Sequence, residues 1–169
     1  MVSAVYKGAI MIKLVLPFIP PTSNHTQKMA YSKTLGRSIQ YNTSKYNRFK
    51  SQVAEYLWRL SPDVFMELSV LLKKPHSVSM VIFSKSVCTK SSKHKEMSLK
   101  FIDSDNQIKP ALDSIYPLFE ANDARAVSSQ GRKVFMDIDT EYTVIQFIED
   151  SPFEAPQWAL DALREDSGL

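Results

Sequence analysis

Apolar and polar positions divide the chain into short segments with different periods. Residues 10–18 (IMIKLVLPF) alternate imperfectly and are rich in β-branched and aromatic side chains, which predicts a strand. Pro17, Pro20 and Pro21 end it, because proline cannot donate to a central ladder. From Tyr46 the period changes. Tyr46, Phe49, Val53, Tyr56, Leu57 and Leu60 recur at helical steps and predict an amphipathic helix to about residue 60, with Thr43 or Ser44 as its N-cap. Ser61-Pro62 restarts the chain into a short helix over about 63–72, which Lys73-Lys74-Pro75 ends. Residues 77–84 (SVSMVIFS) predict a second strand. Ile108, Leu112, Ile115 and Leu118 or Phe119 give a buried face to a helix over 106–119, with Pro110 near the end of its first turn. A further strand starts after Asp123, around 124–127. Residues 133–138 and 142–148 predict a β-hairpin closed by Asp139-Thr140-Glu141, and 155–165 a short helix anchored by Trp158 and Leu160.

Two stretches have no core pattern. Residues 22–42 are polar and carry Lys28, Lys33 and Arg37 with Tyr31 and Tyr41 between them, which reads as a loop or hairpin. Residues 85–100 are rich in lysine and serine with one glutamate, and read as an exposed loop.

With 169 residues, strands and helices interspersed along the chain read as one α/β (α+β) domain spanning 1–169, its core about 10–150 and an acidic extension over 151–169. No run of about eighteen apolar residues exists, so no membrane span is expected. Lys13 and Pro17 break the first apolar stretch, so no signal peptide is expected either. The single Cys88 has no intramolecular disulfide partner, which points to a reducing, cytoplasmic setting. Cys88 and His94, six residues apart without further partners, do not make a zinc site.

The net charge of +3 conceals an asymmetry. Residues 1–100 hold 16 Lys+Arg against 4 Asp+Glu, and residues 101–169 hold 5 against 14, balances of +12 and −9. A basic surface for a polyanion beside an acidic region explains this, and so does pairing of basic and acidic elements within one fold. Cations for phosphate and aromatics for bases make Asn24, Lys28, Lys33, Arg37, Lys45 and Arg48 candidate DNA contacts.

The acidic side holds the densest chemistry. Asp103-Ser104-Asp105-Asn106-Gln107-Ile108-Lys109-Pro110-Ala111-Leu112-Asp113 opens the 106–119 helix, and Asp123 follows in a polar loop. Phosphodiester hydrolysis brings negative charge to negative charge. Mg²⁺, held by carboxylates and water, relieves that repulsion and acidifies bound water. Asp103 and Asp105, two apart, suit such a cation, and Asp123 can close the site. Lys109, one turn past Asp105, can meet the scissile phosphate. Asn106 and Asp113 are candidates for orienting these groups from behind. Ordinary capping and a Lys109 ion pair to Asp105 or Asp113 explain the same residues without catalysis. A calcium loop of the EF-hand type lacks its central glycine and terminal glutamate here.

The segment DSDNQIKPALDSIYPLFEANDARAV resembles the RusA-like Holliday junction resolvases, small endodeoxyribonucleases. Their Asp-x-Asp-Asn, the lysine three residues on, the aspartate in the same helix and a further one about ten residues later fall on Asp103, Asp105, Asn106, Lys109, Asp113 and Asp123. VLPFIPPTSN (residues 15–24) is similar to the family's first strand and its Pro-Pro-x-Ser-Asn turn, and Ser44 to the serine before its first helix. The resemblance spans most of residues 10–148. It implies a mixed β-sheet packed with helices and a homodimer that uses Mg²⁺, or Mn²⁺ in its place, to nick opposed strands of a four-way DNA junction in recombination and repair. It implies no small-molecule cofactor, and a bacterial or phage-infected cell as the setting. It carries catalytic and metal-holding roles onto Asp103, Asp105 and Asp123, with Lys109 as the essential lysine. The loop that often reads Asp-Asp is Asn122-Asp123 here, and residues 85–100 and those past 150 are additions. A nuclease acting on other branched or duplex DNA, and a catalytically silent DNA-binding module, are the competing readings.

Overall fold

The computed structural model describes residues 3–6, 9–85, 88–90, 97–99 and 105–150, with side chains for 10–85 and 106–150. The expected helix at 155–165 and the extension past 150 lie outside the described residues. The chain is mixed α and β. Strands β1 (Ser3–Tyr6) and β2 (Ala9–Leu16) lead to β3 (Gln27–Ser32), β4 (Arg37–Asn42) and helices α1 (Ser44–Trp58) and α2 (Pro62–Leu72). Strand β5 (His76–Ser84), the short β6 (Cys88–Lys90) and β7 (Met97–Leu99), helix α3 (Asp105–Ile115), β8 (Ala126–Phe135) and β9 (Tyr142–Glu149) complete the order. No described helix is long and apolar enough to cross a membrane.

The main sheet has the order β1-β2-β9-β5-β8. All neighbours are antiparallel except β5 and β8, which run parallel. Alternation along the strands makes one face. Ile12, Leu14 and Leu16 of β2, Val78, Met80 and Ile82 of β5, and Ile145 and Phe147 of β9 are buried together. Tyr46, Phe49, Val53 and Leu57 of α1, Leu68, Leu71 and Leu72 of α2, and Ile108, Ala111, Leu112 and Ile115 of α3 join the same core. This is a sheet-plus-helix layer arrangement.

The helix starts follow capping chemistry. The Thr43 side chain accepts from Tyr46 N, so Thr43 rather than Ser44 caps α1. Ser61 caps α2, with Pro62 in its first turn.

Three expectations need correction. The 133–138 and 142–148 strands do not form a hairpin, because β5 lies between β8 and β9. The connection 136–141 crosses the end of β5 and is held there. Lys85 Nζ lies 3.0 Å from Asp137 Oδ1 and 3.2 Å from Asp139 Oδ1, and Ser84 donates to Glu141. The polar residues taken for a hairpin turn bind the end of a neighbouring strand. The 106–119 helix stops as an α-helix at Ile115, because Pro117 cannot donate the next helical bond. Tyr116–Phe119 continues as a 3-10 turn, and Glu120, at φ 51°, reverses the chain. Within 85–100, the described residues pair β6 with β7.

Candidate functional site

The site begins with how α3 is held. Ile108, Ala111, Leu112 and Ile115 anchor one side of it in the core. Pro110 lies inside the helix, which starts one residue earlier than the sequence suggested, so the carbonyl of Asn106 has no helical N–H to accept. A side chain from far away substitutes. Ser23 Oγ lies 2.8 Å from the Asn106 carbonyl oxygen and 3.2 Å from Asn106 Oδ1, so one hydroxyl proton serves both acceptors. Beside it, the buried Gln107 donates through Nε2 to the Pro20 carbonyl at 2.8 Å. The Pro-Pro-Thr-Ser-Asn turn is thereby fastened to the first turn of α3.

Past this anchor, Lys109, Asp113 and Asp123 line one cleft of about 440 Å³ together with Ile108, Leu112, Ala126 and Ser129. Asp123 is brought opposite α3 by the reversal at Glu120. Asn122 Oδ1 accepts from Ala124 N at 2.9 Å and shapes the 3-10 turn (Asp123–Arg125) that Asp123 opens. Lys109 Nζ stands 3.9 Å from Asp113 Oδ1, with the lysine side chain 68% exposed. An ion pair this long and wet holds neither group firmly, so the ammonium is free to meet another anion. Asp113 and Asp123 also line an adjoining hollow with Tyr116, Pro117, Ala121 and Asn122.

A buried polar pair backs that hollow. His76 Nδ1 is 2.8 Å from the Lys74 carbonyl, which can only accept, so Nδ1 carries the proton. Nε2 therefore accepts from the Tyr116 hydroxyl at 2.8 Å. Burial pushes the His76 pKa down, which keeps the ring neutral. Burial first, and the Asp123 carboxylate second, push the Tyr116 phenol above its ordinary range. Tyr116 thus stays a protonated donor beside Asp123.

The structure brings Lys109, Asp113 and Asp123 to one cleft and places Asn106 behind it on the Ser23 contact. Asp105 is the first residue of α3, and only its backbone is described. Asp103 lies outside the described residues. Among the described residues no group of three or more His, Cys, Asp or Glu side chains could hold a metal ion. The carboxylates that reach the cleft offer oxygen donors only, and Asp105 opens the same helix, with Asp103 two residues before it in sequence. That donor chemistry fits a hard divalent cation such as Mg²⁺.

The candidate DNA contacts Asn24, Lys28, Lys33, Arg37, Lys45 and Arg48 are all exposed. Lys28 and Arg37 sit on the β3–β4 hairpin, Lys33 in its turn, Lys45 and Arg48 on the outer side of α1, and Asn24 in the 3-10 turn (Ser23–His25) that precedes the hairpin.

Sequence reasoning gave no role to Gln107, Tyr116 or Ser129, and met Ser23 only as part of the Pro-Pro-x-Ser-Asn turn. Only Ser23 left a signal. A proline inside a predicted helix orphans the carbonyl four residues earlier, and a hydroxyl in a distant turn is one of the few groups that can satisfy it.

No protein-family model matches this chain, and no curated protein matches it.

Proposed function

We propose that the protein is a Mg²⁺-dependent endonuclease that resolves four-way DNA junctions by paired, symmetric hydrolysis. The observation that carries this reading is the cleft in which Lys109, Asp113 and Asp123 meet beside α3, the helix that the acidic motif opens. Asp103, Asp105 and Asp123 would hold the metal, and Mn²⁺ can take its place. Mg²⁺ held there would supply positive charge against the phosphoryl oxygen and would acidify water at the site.

The chain's own residues do the rest. Lys109, weakly paired and exposed, binds the scissile phosphate and stabilises the charge that develops there. Asp113, 3.9 Å from that ammonium, lines the same cleft. Asn106, fixed by Ser23, sets the head of α3, and Tyr116, its hydroxyl proton held by His76, lines the hollow beside Asp123 as a neutral group. Lys28, Lys33, Arg37, Lys45, Arg48 and Asn24 meet the phosphate backbone. Opposed nicks need two such clefts, so the working unit is a homodimer, acting in the cytoplasm of a bacterial or phage-infected cell.

The test is cleavage of a labelled four-way junction beside a linear duplex of the same sequence, with Mg²⁺ and with chelator. Paired nicks on the junction alone, dependent on the metal, support the reading. Equal cleavage of both substrates keeps the chemistry and rejects the junction. Binding without cleavage rejects the enzyme.

A further inference from the structure

We infer that the β3–β4 hairpin is a pin for unpaired bases, inserted where two DNA strands separate beside the cleft. The inference rests on the proposed reading of the protein as a branched-DNA nuclease and assigns the part that recognises the branch.

The register gives the hairpin two distinct faces. Lys28 opposes Tyr41, Ala30 opposes Ile39 and Ser32 opposes Arg37, so these share one face. Met29 opposes Gln40 and Tyr31 opposes Ser38 on the other. Each face therefore carries one tyrosine. Tyr31 is 67% exposed and Tyr41 45%, and every other residue of the two strands is exposed apart from the half-buried Ser32 and Asn42. A two-stranded ribbon with aromatic rings open to solvent on both sides has no packing reason within the described fold.

Charge identifies the occupant. The hairpin carries Lys28, Lys33 and Arg37, and no Asp or Glu precedes Glu55 in the chain. A contact between the hairpins of two copies would bring these cations against themselves. A polyanion with flat apolar groups meets both features at once, and nucleic acid is that polymer. Continuous duplex hides its base faces in the stack, whereas a branch point exposes them to aromatic side chains.

Position links the pin to the cleft. The base of the hairpin is closed by Thr43 N donating to the Thr26 carbonyl at 2.8 Å. Directly before β3, Ser23 makes its bond to Asn106 at the head of α3. The hairpin and the acidic helix thus share one support, so strands parted at the hairpin are delivered beside Lys109 and Asp123.

The experiment measures binding in chelator, where no cleavage intervenes. The probes are a forked oligonucleotide with 2-aminopurine at the first unpaired position and a blunt duplex of equal length. The variants are Tyr31→Ala/Tyr41→Ala and Lys28→Gln/Arg37→Gln, whose surface positions leave the melting temperature unchanged. Wild type should prefer the fork and alter the 2-aminopurine emission. The tyrosine variant should lose fork affinity by about tenfold or more, keep its duplex affinity, and lose the emission change. The cation variant should weaken both probes alike and flatten the salt dependence. Unchanged fork affinity in the tyrosine variant overturns the pin. So does an equal loss on fork and duplex, or a change in oligomeric state in its place. A wild type that prefers the fork yet never cuts a four-way junction with Mg²⁺ defeats the nuclease reading and leaves the pin standing.

Discussion

Ser23 Oγ lies 2.8 Å from the carbonyl of Asn106, the acceptor that Pro110 leaves without a helical partner. Residues 83 positions apart in sequence thus complete one turn of α3. The contact joins the end of the first strand's proline turn to the helix that carries Lys109 and Asp113.

This relationship predicts a coupling. Ser23→Ala leaves the Asn106 carbonyl unsatisfied and should cost about 1–2 kcal/mol in urea unfolding. Pro110→Ala returns an N–H to that carbonyl. In the Pro110→Ala background the Ser23→Ala cost should therefore shrink, by about 0.5 kcal/mol or more in a double-mutant cycle. Additive costs would mean that Ser23 acts elsewhere.

The His76–Tyr116 pair predicts an acid-side loss of stability. His76 is neutral and buried, with its folded pKa held below the ordinary value. The unfolded chain takes up a proton as pH falls below about 6.5, while the folded chain resists until its lower pKa is reached. His76 therefore contributes stability that is fully present above about 6.5 and is lost as pH falls from there through the folded pKa. Unfolding free energy measured from pH 7.5 down to 5.5 should decline, and His76→Gln should flatten that part of the profile. Equal slopes in both proteins would remove His76 as the cause.

Glu120 carries φ 51° without being glycine. The left-handed region costs an ordinary residue roughly 1–2 kcal/mol, partly offset by the greater freedom glycine adds to the unfolded chain. Glu120→Gly should raise stability by about 0.5 kcal/mol and leave cleavage unaffected. Destabilisation on chemical denaturation would show that the Glu120 side chain matters more than its backbone.

Lys109→Ala should barely alter stability, by less than about 0.5 kcal/mol, because its one described ion pair is 3.9 Å long and exposed. Its cleavage rate should fall by about a hundredfold or more, with junction affinity reduced far less. Matching losses in rate and affinity would reduce Lys109 to a phosphate contact.

Much of the fold is written in local periodicity. The alternation at 10–18 and 77–84 became β2 and β5, and the stripe through Tyr46, Phe49, Val53 and Leu57 became the buried side of α1. Local pattern does not encode which strands are neighbours. Residues 133–138 and 142–148 suggest a hairpin because sequential strands usually pair. β5 separates them because its length pairs with both, parallel to β8 and antiparallel to β9, and its alternate residues fill the core, a set of long-range contacts that local pattern does not carry. The site shows the same division. Lys109, Asp113 and Asp123 stood out in the sequence by residue type and spacing, and they line one cleft. Their support was not, since Ser23 and Tyr116 reach them through contacts that no spacing rule contains.

The most direct measurement is single-turnover cleavage of a four-way junction by Asp123→Asn, beside junction affinity measured in chelator. Asp123 is exposed in its 3-10 turn, so the change leaves the fold intact. The account predicts that cleavage falls by about a thousandfold or more, while the junction is bound as tightly as by wild type, or more tightly because a negative charge facing phosphate is gone. Cleavage at the wild-type rate would contradict it, since the Lys109–Asp113–Asp123 cleft would then not be where the phosphodiester is broken.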